Sequence, residues 1–204
     1  MPEHKPSRRL QRIFDRALRC ALLVWVGLSP LHAVNLPAQE TAAPPMADST
    51  LQALYLFNFA KFIEWPEKVF ANQQSPITLC LYGERPSEIR TSIGAIEGKI
   101  AQGRELRVVR SATLANLDAC QIVFVPGSER RWLSEVLRVA HAANALTVSD
   151  MDNFIESGGG VGLLIVDRQI RFEFNLDATQ AAHLKVSAQL LKLARTVKGQ
   201  GTRP

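Results

Sequence analysis

Ile77-Thr78-Leu79-Cys80-Leu81-Tyr82-Gly83, read ITLCLYG, is a short apolar run closed by a glycine. Its apolar residues are continuous rather than alternating, which is the pattern of a strand buried on both faces. Similar runs recur at Leu106–Val109, at Gln121–Val125 (closed by Pro126-Gly127) and at Leu146–Val148. Helical segments fall between them. Pro86–Glu97 begins on a proline and stops at Gly98, Ser128 caps a helix through Asn144, and Ser149-Asp150 precedes a short helix, Met151–Ser157. Ahead of the first strand, Asp48 or Ser49 caps a helix to Trp65. Leu51, Leu54, Tyr55, Asn58, Phe59 and Phe62 lie there at helical spacing, and Pro66 ends it.

Strands alternating with helices predict a parallel sheet covered on both faces. The rhythm breaks late. Val161–Val166 and Ile170–Phe174, joined by Asp167-Arg168-Gln169, read as a hairpin. Asp177 then caps a last amphipathic helix carrying Leu184, Leu190, Leu191 and Leu193. The expected fold is α/β: a doubly wound, mostly parallel sheet with an antiparallel C-terminal hairpin, Rossmann-like and three-layered.

The chain opens differently. Lys5, Arg8, Arg9, Arg12, Arg16 and Arg19 precede an apolar run from Cys20 to Leu31, followed by the small-residue exit Leu31-His32-Ala33. These are the parts of a secretory signal peptide. The run is about a dozen residues and holds Pro30, whereas a spanning helix needs roughly 20. Residues 1–33 are therefore expected to be removed on export, with no stable membrane insertion afterwards. Residues 34–48, rich in Pro and Ala, read as a flexible tether. Residues 49–198 make one domain, and 199–204 a frayed tail.

The leader also accounts for most of the charge. The whole chain holds 24 Lys and Arg against 19 Asp and Glu, a formal net of +5. Without six basic and two acidic leader residues, 18 stand against 17, a net of +1. No nucleic-acid partner is expected of so balanced a domain. Cys20 leaves with the leader, so Cys80 and Cys120 remain. An even pair in an oxidising compartment suggests a disulfide. In the commonest small doubly wound order the first and third strands are neighbours. Topology thus permits the bond, although register does not guarantee it, and two separate buried thiols are the alternative.

The inventory for chemistry is thin. His141 and His183 lie far apart in predicted helices, and no His or Cys pair has metal-ligand spacing, so neither metal nor cofactor is expected. Gly158-Gly159-Gly160 lacks the Lys-Ser/Thr of a phosphate loop and reads as a flexible turn into the hairpin. Ser128 sits at a strand-to-helix turn but without G-x-S-x-G, so a helix cap explains it. Asp150 and Asp152 follow the fourth strand, on the edge where such sheets bind ligands. Arg168, Arg171 and Glu173 on the hairpin offer either a charged binding face or a guarded sheet edge. The feature in excess is aromatic. Tyr55, Phe57, Phe59, Phe62 and Trp65 crowd a single segment, more than one narrow helical stripe can bury.

That segment, Tyr55-Leu56-Phe57-Asn58-Phe59-Ala60-Lys61-Phe62-Ile63-Glu64-Trp65-Pro66, resembles the opening signature of the YfiR-like family. Later pieces agree in order: Leu79–Gly83, Cys120–Val125, Leu146–Asp150, the three glycines, Arg171-Phe172-Glu173-Phe174-Asn175-Leu176, and the closing leucines. The resemblance spans roughly residues 50–195. It implies a small periplasmic α/β regulator, not an enzyme, which dimerises and represses a membrane-bound diguanylate cyclase through its periplasmic sensor part. Release of the cyclase raises cyclic di-GMP and favours biofilm. Cys80 and Cys120 fall where one family disulfide lies. A second family pair before the hairpin has no counterpart in Met151–Val166, which leaves Cys80–Cys120 as either a structural bond or a redox switch.

Three functional readings follow. The first is the periplasmic repressor, with Phe57, Phe62, Trp65, Arg168, Arg171 and Glu173 as the partner- or ligand-binding set and a homodimer as the assembly. The second is a periplasmic small-ligand binder, or an accessory protein of another membrane signalling system, with its pocket near Ser149-Asp150 or the hairpin arginines. A hydrolase using Ser128 or Asp150 ranks last.

Overall fold

The computed structural model describes residues 48–84, 89–167 and 169–199. The expected signal peptide, almost all of the tether, Arg168 and all but Gly199 of the tail lie outside them. Among the described residues, no helix is long and apolar enough to cross a membrane.

The chain forms helix α1 (Asp48–Phe62), strands β1 (Ile63–Glu64) and β2 (Ile77–Tyr82), helix α2 (Ile89–Ser92), and strands β3 (Ile100–Ala101), β4 (Arg104–Ser111) and β5 (Ile122–Val125). Helix α3 (Leu133–Ala142), strands β6 (Leu146–Ser149), β7 (Val161–Val166) and β8 (Gln169–Asn175), and helix α4 (Leu176–Ala181) follow. Strand β9 (Lys185–Val186), helix α5 (Ala188–Leu191) and strand β10 (Thr196–Lys198) close the fold. Eight strands make one mixed sheet in the order β10-β8-β7-β6-β5-β2-β4-β3, and β1 pairs with β9 in a separate ribbon. The pairings from β4 through β2, β5 and β6 to β7 are all parallel, and β7–β8 is the antiparallel hairpin. The expected first and third strands, β2 and β5, are indeed neighbours.

The continuous apolar runs are explained by burial on two sides. Along β2, Ile77, Leu79 and Leu81 join a core with α1, while Cys80 and Tyr82 join a second core with Val136, Leu137 and Ala140 of α3. Strands β5 and β6 divide in the same way: Phe124 and Val148 face the α1 side, and Val123 and Val125 the α3 side. Each fully buried side chain of this size contributes about 1.5–3 kcal/mol, so the two cores tie the layers together.

The structure redraws several boundaries. Helix α1 ends at Phe62 rather than Trp65, and its buried face is Ser49, Ala53, Leu56, Phe59 and Ala60. Leu51, Leu54, Tyr55 and Phe62 flank that face and pack on its margins, and Asn58 is exposed. The second strand is longer than its apolar centre because Gln102 and Gly103, both at positive φ, fold it back on Ile100–Ala101. After Pro126 the chain makes a 3₁₀ segment, Gly127–Trp132, before α3 begins. Met151–Ser157 is a series of turns rather than a helix, with Asn153 left-handed at φ 58°.

The single last helix is instead two short helices and two strands. Asn175, not Asp177, caps α4: its Oδ1 accepts from Ala178 N–H at 3.1 Å. His183, at φ 55°, ends the helical path, which lets Val186 pair with Ile63 in the small ribbon. Beyond α5 the chain returns as β10, parallel to β8, with Val197 opposite Phe174.

Candidate functional site

The carboxyl ends of β5 and β6 are tied together. Ser149 Oγ donates to the Val125 carbonyl at 2.6 Å and accepts from Met151 N–H at 3.0 Å. Asp150 Oδ1 accepts from Gly127 N–H at 2.7 Å. A cleft of about 680 Å³ opens above these strand ends. The start of α1 supplies Asp48 and Gln52, the hairpin supplies Leu163 to Val166 and Ile170, and Arg195 stands at the rim. Asp48, Asp150, Asp152 and Arg195 are the charged residues among the described lining of the cleft, beside apolar hairpin side chains. Asp150 is open to the cleft, but the walls strip it of water. That desolvation raises its carboxyl above the ordinary value, against the Gly127 N–H, which stabilises the ionised form.

This cleft is not at the switch point of the sheet. The chain leaves β2 for β4 on one side, and β5 lies on the other, so the crevice where doubly wound sheets usually bind ligands lies between β2 and β5. Glu129 occupies that crevice. It is 3% exposed, and its Cγ lies 2.6 Å from where a Cβ on Gly83 would stand. Gly83 is therefore required twice over, by this contact and by its φ of 94°. Arg90 Nη2 donates to the Gly83 carbonyl on the same turn. A second recess of about 560 Å³ lies beside it, lined by Tyr82, Glu84, Thr113, Arg131 and Trp132. Burial, then the negative Glu129, raises the Tyr82 phenol, with Arg131 acting in the opposite sense.

The sequence-derived candidates divide among several places. Ser128, Asp150 and Asp152 do come together, at the cleft. His141 and His183 are not in its lining: His141 lies in α3, where burial lowers its imidazole pKa, and His183 lies in the turn after α4. Arg171 is exposed and bonded to Gln169 Oε1 at 2.6 Å, and Glu173 lies on β8 between Gly162 and Thr196. Neither lines the cleft. Phe57 and Phe62 are half-buried on α1, with Lys61 Nζ 5.8 and 5.6 Å from their rings. Trp65 is a core residue, 8% exposed, and its indole N–H donates to the Gln121 carbonyl at 2.9 Å. It follows β1 and packs in the core on the α1 side, so its ring is not an open face. A helix rises about 1.5 Å per residue, so Phe62 stands about 20 Å along α1 from the Asp48 end. Among the described members of the expected set, Phe57 and Phe62 lie on α1 and Arg171 and Glu173 on β8, and Arg168 lies outside the described residues.

Sequence reasoning missed Glu129, Gln52 and Arg195. No local pattern marks them, since each reaches its site only through tertiary contact. Among the described residues, no group of three His, Cys, Asp or Glu side chains could hold a metal ion. Cys80 and Cys120 are joined Sγ to Sγ, with Cα atoms 5.9 Å apart. Cys80 lies opposite Val123, and the 3₁₀ turn Leu114–Ala119 brings Cys120 back over β2.

Fold and cleft together define an α/β domain with a mostly parallel, two-sided sheet and an acidic recess at its carboxyl edge. The chain belongs to the YfiR/HmsC-like family, whose model matches residues 49–195. That family is periplasmic and regulatory rather than catalytic, and acts with membrane sensor partners. No curated protein matches the sequence. Among solved structures, a conserved domain protein from Vibrio cholerae aligns with a TM-score of 0.48 at 9% identity, over 73% of this chain and 60% of that one. An ABC domain in complex with L-Trp from Streptococcus pneumonia aligns with a TM-score of 0.42 at 9% identity, over 59% and 54%. The chain thus spans less than two thirds of either.

Proposed function

We propose that this protein is a periplasmic repressor that binds the periplasmic sensor part of an inner-membrane diguanylate cyclase, and so lowers cyclic di-GMP and biofilm formation. The observation that carries this reading is the family match across residues 49–195. In this reading residues 1–33 direct export, residues 34–48 are a tether, and the folded domain works as a homodimer. A periplasmic protein has no access to cyclic di-GMP in the cytoplasm, so its effect must pass through a partner that crosses the inner membrane.

Deletion of the gene tests the whole chain of consequences. Cellular cyclic di-GMP and surface-attached biomass should both rise, and both should return on complementation. Capture of the tagged protein from solubilised inner membranes should retain a diguanylate cyclase. Unchanged cyclic di-GMP together with no captured cyclase would overturn the reading.

A further inference from the structure

Strand β7 runs past the end of its neighbour. Its last pair with β6 is Gly162 with Ser149, after which β6 turns away at Asp150. Leu163 to Val166 continue for four residues, roughly 13 Å of strand, still paired with β8 on the other side. Asn175 N–H donates to the Gly160 carbonyl at 2.8 Å, which fixes the alternation of the antiparallel ladder. Residues 160, 162, 164 and 166 aim their backbone groups at β8, and 161, 163 and 165 aim theirs towards the β6 side. At Ile165 that side is empty of strand. Among the described residues, no hydrogen bond reaches its N–H or carbonyl from there.

Exposed edges of this kind are normally guarded by charge, proline or a bulge. This one reads Leu163-Leu164-Ile165-Val166, without any of them, and it forms a wall of the 680 Å³ cleft. Ile165 is 61% exposed there. The same cleft is lined by Asp48, Asp150 and Asp152, with Arg195 the one cation among its described lining residues. The nearby Arg130 is engaged with the main-chain carbonyl of Asp152 at 3.3 Å. An open strand edge beside apolar side chains supplies main-chain bonds and side-chain pockets, the combination used in strand addition. The surplus of carboxylates, one of them short of water, selects for a cation on the incoming chain.

We infer that the cleft takes an extended peptide segment of a partner protein, apolar with one or more Lys or Arg, as an added strand on the open side of β7. The inference rests on the regulatory reading in giving that segment to the partner, and it names the chemistry the segment presents. Its test uses free peptides, so its failure leaves the regulatory reading standing.

The probe is a fluorescein-labelled heptapeptide that alternates valine with lysine, measured by anisotropy against the purified protein. A counterpart with glutamate for lysine should bind at least about tenfold more weakly. Asp150→Asn should weaken the lysine peptide. Ile165→Pro deletes the edge N–H at a position where proline is tolerated and should weaken it about tenfold. Ile165→Thr keeps the donor and should stay within about threefold. Should Ile165→Pro not fold, a lysine peptide N-methylated at alternate residues removes the peptide's own donors and should lose binding to the wild-type protein. Equal affinity for the lysine and glutamate peptides would overturn the inference. So would undiminished binding of both N-methylated peptides, one for each phase of methylation, which would leave a simple cation site instead of strand addition.

Discussion

Gly159 lies against the ring of Phe154: a Cβ at Gly159 would stand 2.2 Å from Phe154 Cε1. Its N–H also donates to the Phe154 carbonyl at 3.0 Å. The glycine run before the hairpin is thus a close-packing device rather than a loose turn. Gly159→Ala should cost about 1–3 kcal/mol by overpacking, at about 2–4 °C of Tm per kcal/mol for a chain of this size. Gly94 has nothing within 4 Å of its would-be Cβ and no positive φ, so Gly94→Ala should be neutral or slightly stabilising. Thermal melts of the two variants decide it, and equal melting points would remove the packing argument.

The Cys80–Cys120 bond spans 40 residues of sequence. Chain-entropy arguments assign such a loop about 4 kcal/mol. Both sulfurs lie within the α3-side core, where the two cysteines are each 1% exposed. A Cys80→Ala/Cys120→Ala double variant should therefore melt about 8–16 °C lower at that stabilisation. Its circular dichroism should be unchanged at low temperature, because the sheet pairings do not depend on the bond. Non-reducing peptide mapping of the wild-type protein should recover the crosslinked pair. Free thiols at both positions would refute the bond.

Desolvation by the cleft walls holds the Asp150 carboxyl above its ordinary value of 3.8. The folded state thus keeps a proton that the unfolded chain has already released. The associated stability is fully present below pH 3.8 and is lost as pH rises through the folded-state value. Asp150→Asn has no charge to desolvate and keeps an acceptor for Gly127 N–H. Its stability relative to wild type should be lowest below pH 3.8 and should rise across that window. Urea titrations at a series of pH values would show this. A relative stability that falls with rising pH contradicts the assignment of desolvation as the cause.

Much of the architecture was legible because burial on both faces writes itself into β2, β5 and β6 as unbroken apolar runs. The hairpin was equally plain, since Asp167 to Gln169 separates two strand-like segments. The C-terminal leucines misled for a physical reason: Leu184 and Leu190 are both buried, but Leu184 lies in the turn before β9 and Leu190 on α5. Helical spacing cannot show that His183 turns left-handed between them. The cleft was half legible. Asp150 and Asp152 were flagged by their place after a strand, whereas Asp48 and Arg195 are separated by 147 positions and meet only through the fold. The aromatic excess was resolved by packing: Phe59 stacks edge-on with Phe172 at 5.4 Å, and Tyr55 reaches the same ring at 5.7 Å.

Gln121 joins three elements at the foot of the sheet. Its Oε1 accepts from Thr78 N–H at 2.8 Å, and its own N–H donates to the Thr78 carbonyl at 2.9 Å. Its carbonyl accepts twice, from Trp65 Nε1 at 2.9 Å and from Leu146 N–H at 2.8 Å. Removing the two side chains should have unequal consequences. In Trp65→Phe the carbonyl keeps Leu146, so the hydrogen-bond loss should be about 1 kcal/mol. Gln121→Ala leaves the Thr78 N–H without its partner at the start of β2, at a cost of about 1–3 kcal/mol. Gln121→Glu preserves the acceptor and should lie between wild type and alanine at low pH, where the carboxyl is neutral. It should lose ground as pH rises and the charge must be held in a residue only 6% exposed. Chemical denaturation of the three variants at acid and neutral pH reads this order. Trp65→Phe proving more damaging than Gln121→Ala would show that the indole's packing, rather than the Gln121 side chain, holds this corner together.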